Sequence, residues 1–472
     1  MQAKTKYYGK TKKKEKKNYA TSLIRRTLAI LLLAVMLSAA SPIYANATDL
    51  LAFPAYAANS ITESNDIIYF ESDEEIYLTM QELLRASTPV FTIACPTDKL
   101  TKDYAGLYYE AIYKDRGDTR WNIMHASPSY VMKNGYTYIK YAITYRMTDN
   151  QAAWARSYAN ELVKSLEVDG LNDFDIIEKF REYILRNWDY DTTLENNTPY
   201  LMFTNKTGTC LGHVSAMIMM CDVVGIETQT VTGELDGASG LPHIRLLVKL
   251  NGEWYETDPT LYAFGIKYHL NNKFVEFKPK AEYDNEWFHE NFPFAQIPYT
   301  TVLTAANKYG THIDKAFKEG LLPAQFVAKL GETATRAETV ALIVNAVERA
   351  MNEELETGEA SFEDIDGNEY LVAIEKAVNA GLISGVSEGK FVPGNTVNKE
   401  TFAVILARMY RMLGFKNAVT SKTFNDVSSW ATNDVGLITG LGFMSGKSDN
   451  TFGARDTMAL SDCVDALVKF FA

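Results

Sequence analysis

The sequence predicts an α+β protein of several domains that closes on a helix-rich repeat array. Three observations carry this expectation. Residues 136–147 (YTYIKYAITYRM) alternate with strand period, and helix-period runs follow them. Asn251-Gly252 stands between two extended runs, the pattern of a tight hairpin. Beyond residue 299, Gly320, Gly381 and Gly442 recur 61 residues apart. At 472 residues the chain exceeds one ordinary core, so about two to four domains are expected.

The N-terminus reads as a secretory signal over residues 1–47. Residues 10–26 are basic, residues 28–37 are apolar, and Ala45-Asn46-Ala47 offers a cleavage site, with Ala55-Tyr56-Ala57 as a second candidate. The alternative is an uncleaved anchor, but a membrane span needs about 20 apolar residues. The formal charge is −12; residues 1–47 hold ten Lys/Arg and one acid, so the remainder carries −21. A surface that acidic disfavours nucleic acid and anionic lipid, and no membrane partner is expected after cleavage. Four cysteines, Cys95, Cys210, Cys221 and Cys463, are too few for a disulfide framework in an exported chain of this size.

Residues 48–165 read as an N-terminal α+β region. The alternation puts Ile139, Tyr141, Ile143, Tyr145 and Met147 on one strand face. A helix follows over 150–166, striped by Trp154, Tyr158, Leu162 and Leu166, with Asp149 or Asn150 as its cap. His125, in a loop-like aromatic stretch, reads as structural. The central domain is placed at 166–298. It opens on an amphipathic helix over 173–188, with Phe174, Ile177, Phe180 or Arg181, Ile184 and Trp188 inward and Asp173 as its cap.

The chemistry is expected between Gly208 and Thr260. Leu211, Val214, Ile218, Cys221 and Val224 recur at helical spacing, and Gly225 is a suitable stop. Cys210 then sits at a helix N-terminus, where the macrodipole and free N–H groups favour a thiolate and a developing oxyanion. A strand at 226–235 and a flexible loop at 236–240 follow. A two-residue Asn-Gly turn pairs Leu250 with Glu253, which sets His243 opposite Thr260 and diagonal to Asp258. The pattern predicts a cysteine nucleophile, a histidine base and a carboxylate that orients the ring. Cys210 and Cys221 lie about 16 Å apart along one helix and cannot bridge there. A zinc reading from Cys210, His213 and Cys221 lacks a fourth ligand at zinc spacing, so no metal or cofactor is expected.

Gly208-Thr209-Cys210, the Gly225-Ile226 ending, His243 and the Trp254…Asp258-Pro259-Thr260 strand resemble the transglutaminase-like superfamily of papain-type folds, over roughly residues 170–265. The resemblance implies Cys210 as nucleophile, His243 as base and Asp258 as its orienter. It implies thioester-mediated acyl transfer or hydrolysis on protein or peptide amides; the alternative is an inactive binding module of the same fold. After His243 come Ile244-Arg245, where many members carry an aromatic residue.

Residues 299–355, 356–418 and 419–472 are read as three repeats. Ala380-Gly381-Leu382-Ile383-Ser384-Gly385 recurs as Leu441-Gly442-Phe443-Met444-Ser445-Gly446, and Phe362-Glu363-Asp364-Ile365 as Phe424-Asn425-Asp426-Val427. Phe391-Val392-Pro393-Gly394 recurs loosely as Phe452-Gly453-Ala454-Arg455. Helices are expected over 338–347, 401–410 and 462–471, each unable to bury its face alone. The array resembles S-layer homology modules. That family's Thr-Arg-Ala-Glu motif is intact at Thr335-Arg336-Ala337-Glu338 and degenerates at Asn398-Lys399-Glu400-Thr401 and Ala459-Leu460-Ser461-Asp462. The resemblance implies anchoring to an anionic secondary cell-wall polysaccharide through Arg336 and Lys399. Thr335 and Glu338 read equally as a capping box. The combined expectation is a secreted enzyme held at the wall or S-layer of a bacterium.

Overall fold

A computed structural model describes residues 67–102, 106–108, 111, 122–235, 241–263, 268–416 and 422–472. The expected signal segment, both cleavage candidates and the 236–240 loop lie outside the described residues. The chain divides into two compact units. The first runs through His269 and resumes at Lys273–Phe294; the second comprises Leu270–Asn272 and Ala295–Ala472.

The first unit begins with β1 (Ile67–Tyr69), α1 (Asp73–Arg85), β2 (Val90–Pro96), β3 (Ile123–Lys133) and β4 (Tyr136–Tyr145). The sheet order is β1-β2-β4-β3, parallel only between β1 and β2. The expected alternation holds: Ile139, Tyr141 and Ile143 join Ile76, Met80 and Leu84 of α1 in one core. His125 lies on β3 rather than in a loop; its Nε2 meets Ser127 Oγ at 2.7 Å. Asn134 and Gly135, both at positive φ, turn β3 into β4.

Next come α2 (Asp149–Ser165), α3 (Asp173–Asn187), β5 (Asp189–Tyr190), α4 (Pro199–Asn205), β6 (Thr207–Gly208) and α5 (Cys210–Val224). Two caps differ from expectation by a residue or two. Thr148 caps α2 in a box with Gln151, and Asn172 caps α3 by accepting from Asp175 N. The buried face of α2 also differs: Ala152, Ala155, Ala159, Leu162 and Val163 turn inward, while Trp154 is exposed. Small side chains let α2 lie close to α5, against which it packs. The α3 stripe is as expected, with both Phe180 and Arg181 buried.

Helix α5 is not the one-faced helix that its spacing suggested. Every residue from Gly212 to Cys221 is buried, because α2, α3, α4 and the following sheet surround it. That sheet contains β7 (Thr228–Leu235), β8 (Pro242–Leu250), β9 (Glu253–Thr257) and, after α6 (Pro259–Ala263), β10 (Phe277–Pro279), in the order β10-β7-β8-β9. Helix α7 (Glu286–Asn291) follows β10.

The hairpin keeps its predicted register, with Leu250 opposite Glu253 and Leu246 opposite Thr257. Asn251 and Gly252 take φ of 51° and 83°, the left-handed pair this turn requires. The expected His243–Thr260 pairing does not form. The ladder ends at Thr257, and Pro259, lacking an N–H, opens α6 instead. His243 pairs across its other edge with Gly233 of β7.

The second unit is helical: α8 (Tyr299–Tyr309), α9 (His312–Lys318), α10 (Ala324–Val327), α11 (Arg336–Met351), α12 (Leu371–Asn379), α13 (Lys399–Met412), α14 (Thr432–Gly440) and α15 (Leu460–Phe471). Gly320, Gly381 and Gly442 have φ of 68°, 71° and 82° and close the turns after α9, α12 and α14. The long helices start two residues earlier than expected, because Thr335 and Asn398 cap them and Arg336 and Lys399 are already helical. Three backbone bonds join the segments before α11, α13 and α15 into a closed ring. Ala334 N donates to Met458 O, Met458 N to Val397 O, and Val397 N to Ala334 O, at 2.8, 3.3 and 3.0 Å.

Candidate active site

Thr209 caps α5: its hydroxyl accepts from Gly212 N at 3.2 Å, and its own N–H donates to Asn196 O at 2.9 Å. The loop that supplies Asn196 folds about the Asp191 carboxylate. That group accepts from the backbone N–H of Thr193, Glu195 and Asn196 at 2.8–3.0 Å. Gly212 lets this loop come close, since a Cβ there would stand 2.6 Å from Asn196 O. Cys210 is thereby presented, partly exposed, at the first position of α5. Cys95, Cys221 and Cys463 are buried, and burial pushes the Cys221 and Cys463 thiols up in pKa.

His243 reaches this helix start from β8. Its Nε2 lies 2.7 Å from Asp258 Oδ2, and its ring is close enough to the Cys210 side chain to feel its charge. With Nε2 committed to the carboxylate, Nδ1 is left for the sulfur. Asp258 is fully buried, and its Oδ1 accepts from Thr260 N at 3.0 Å. Burial alone would lower the His243 pKa; the Asp258 charge, its hydrogen bond and Cys210 outweigh this and raise it to about 10. Burial would raise Asp258, yet His243, Arg245 and the Thr260 N–H hold it below the usual carboxylate value. The three residues expected to act together are therefore together, and the arrangement can hold a proton on the imidazole beside a sulfur.

His213, one turn along α5, stays apart from this chemistry. Its Nδ1 donates to Thr209 O at 2.9 Å, its ring stacks on Tyr190, and burial lowers its pKa to about 4, so it is neutral. Sequence reasoning passed over the buried neighbours Arg245 and Glu256, which meet at 2.6 Å. Arg245 is two residues from His243 on β8 and so shares its face, but a charged residue in a strand reads as surface, and Asp258 lies just past the end of β9.

The candidate wall-binding residues divide between two places. Thr335 and Glu338 form a capping box: Glu338 N donates to Thr335 Oγ1 at 3.2 Å, and Thr335 N donates to Glu338 Oε2 at 3.0 Å. Arg336 Nε and one terminal nitrogen donate to the carbonyls of Phe391 and Ser384, each at 2.9 Å. Lys399 repeats that contact one module later, donating to Phe452 O and Ser445 O at 2.9 and 2.7 Å. In the third module Leu460 occupies the position, with no charge to offer.

Fold and site together define an α+β cysteine–histidine domain followed by a helical surface module. A transglutaminase-like superfamily model matches residues 156–259, and an S-layer homology domain model matches 361–403 and 423–458. The chain thus carries a transglutaminase-like core and S-layer homology sequence, and the latter indicates attachment at the cell surface. It is 34% identical over 144 residues to an amylopullulanase from Thermoanaerobacterium thermosulfurigenes, a match that covers 29% of this chain and 7% of that protein.

Similar solved structures include a TGase (16% identity, 45% of this chain and 64% of that one, TM-score 0.23). A putative cysteine protease from Cytophaga hutchinsonii matches at 13% identity, over 29% of this chain and 65% of that one, with a TM-score of 0.21. The periplasmic domain of TgpA from Pseudomonas aeruginosa matches at 16% identity, 27% and 56% coverage, and a TM-score of 0.20. The chain spans less than two thirds of each of these proteins. No helix among the described residues is long and apolar enough to cross a membrane.

Proposed function

We propose that this is a surface-attached enzyme that transfers or hydrolyses acyl groups of protein or peptide amides through a Cys210 thioester. The single observation behind this is the buried His243 ring, held 2.7 Å from the Asp258 carboxylate and beside the partly exposed Cys210 at the start of α5. The thiolate attacks the amide carbonyl carbon, and a C–S bond forms. The resulting oxyanion lies at the start of α5, where backbone N–H groups and the helix dipole favour negative charge. As the C–N bond breaks, His243 gives its proton to the departing amine. Water or a second amine then attacks the thioester, returns a proton to His243 and releases the thiolate. Asp258 keeps the ring in the tautomer and orientation both steps need.

The S-layer homology repeats hold the enzyme to an anionic cell-wall polysaccharide. Arg336 and Lys399 supply positive charge there, and Thr335 with Glu338 sets the helix end that carries Arg336.

The test is mass spectrometry of cell-wall peptides after incubation with the wild type or with Cys210→Ala. Wild-type-only changes in cross-links or amide bonds are expected, with amine incorporation marking a transferase and lost bonds a hydrolase. Identical turnover by the alanine form would overturn the proposal.

A further inference from the structure

Along the β8–β9 hairpin, charged side chains alternate in sign. Continued one step past its last pair, Leu246–Thr257, the register brings Arg245 level with Asp258, with His243 and Glu256 each two residues along their own segments, so the order is His243, Asp258, Arg245, Glu256. We infer that Arg245, clamped by Glu256, is a positioning residue that pins the Asp258 carboxylate against His243. This rests on reading Cys210, His243 and Asp258 as the reacting group.

The clamp is specific. Arg245 is 1% exposed, and Glu256 and Asp258 are fully buried. One terminal nitrogen of Arg245, with two hydrogens to give, lies within hydrogen-bond distance of three acceptors: Glu256 Oε1 at 2.6 Å, Tyr268 OH at 2.7 Å and Val275 O at 2.5 Å. The guanidinium also lies over the rings of Tyr268 and Phe277, each 4.8 Å away. Glu256 in turn accepts at Oε2 from Tyr268 OH at 3.0 Å and Val275 N at 3.1 Å. A guanidinium so held cannot swing, and its Nε end stands 3.3 Å from Asp258 Oδ2. That approach is an ion-pair contact without hydrogen-bond alignment.

The consequence lies in Asp258. Its Oδ2 faces both His243 and Arg245, and its Oδ1 faces Thr260 N. A carboxylate gripped on both oxygens keeps the imidazole turned toward Cys210. Burying a pair of charges for packing alone gains little, and removing one member leaves a costly orphan. A positional role accounts for the pair. The groups facing His243 are Cys210 of α5, Asp258 after β9, and the Phe277 ring of β10. Those facing Asp258 are His243, Arg245 and Thr260 N, with His213 of α5 nearby.

The experiment uses the full chain with R245M/E256Q, which removes both members of the Arg–Glu pair together so that neither charge of that pair is stranded, and with R245K. Iodoacetamide labelling of Cys210 is followed against pH by peptide mass spectrometry. The double variant, folded by circular dichroism, is expected to label roughly tenfold or more slowly below about pH 7, with R245K between it and wild type. In the Cys210→Ala background, the downfield proton of the His243 N–H facing Asp258 is read by NMR. It is expected to broaden or vanish in R245M/E256Q and to persist in R245K.

A folded double variant with a wild-type labelling profile and an unchanged His243 signal would overturn the inference. Wild-type labelling no faster than that of a free-cysteine peptide would instead sink the chemical reading of Cys210. The His243 signal would still decide the role of Arg245.

Discussion

His243 concentrates the electrostatics of the first unit. Its pKa of about 10 stands above the ordinary 6.5, so folding favours its protonated form. The linkage sign follows: this stability is fully present below about pH 6.5 and is lost as pH rises through about 10. Asp258 works at the other end. Its depressed pKa contributes stability above the ordinary carboxylate value, lost as pH falls through the folded value. Urea unfolding from pH 6.5 to 10 should therefore show declining stability in the wild type, and His243→Gln should flatten that decline. An equal slope in both would place the pH dependence elsewhere.

At the scale of elements, the start of α5 depends on close approach. Gly212→Ala would drive a Cβ to 2.6 Å from the Asn196 carbonyl, which is backbone and cannot rotate away. The expected loss is about 1–3 kcal/mol in chemical denaturation, as for other overpacked sites. Cys210 labelling should slow with it, because the loop that yields is the one bonded to Thr209. The second unit offers a simpler case in α11. Thr335→Ala removes the acceptor for Glu338 N, and a loss of about 1 kcal/mol is expected. Asn398 plays the same part for α13, accepting from Thr401 N at 3.0 Å, although its motif has drifted from the first module's.

Across the second unit as a whole, the repeats are coupled by their cations. Arg336 crosses to the carbonyls of Ser384 and Phe391, and Lys399 crosses to those of Ser445 and Phe452, the same two positions one module on. Asp364 and Asp426 brace the receiving segments. Asp364 accepts from Phe391 N and Val392 N; Asp426 accepts from Phe452 N, Gly453 N and Ala454 N. Hydrogen bonds to a charged donor contribute about 1.5–3 kcal/mol each. R336M and K399M should each lower the melting temperature of the repeat array, and together broaden its transition. Sedimentation with purified wall separates anchoring from stability. A variant that stays folded at the assay temperature yet fails to pellet has lost a polymer contact, whereas one that pellets has lost only a rivet.

Local rules reached a good part of this molecule. Asn251-Gly252 was enough to set the hairpin register, because a two-residue turn leaves no freedom in pairing, and that register brought His243 within a diagonal of Asp258. The same reasoning applied to Asn134-Gly135 would have found the β3–β4 hairpin. Equal glycine spacing marked the three left-handed turns of the repeats, since those turns exclude most other residues. What spacing could not decide was burial. Trp154 and Tyr158 stood in the expected stripe of α2, but close packing on α5 selected the alanine face. The apolar period of α5 suggested one inward side, while its neighbours enclose it on all sides. Nor did Arg245 and Glu256 announce themselves, because charge in a strand reads as surface until a second layer covers it. The residues determined which chemistry the chain carries and where its turns fall, since both depend on neighbours within a few positions. Only the tertiary structure decided which faces are buried and that a buried arginine stands behind the carboxylate, since those depend on contacts between segments far apart in sequence.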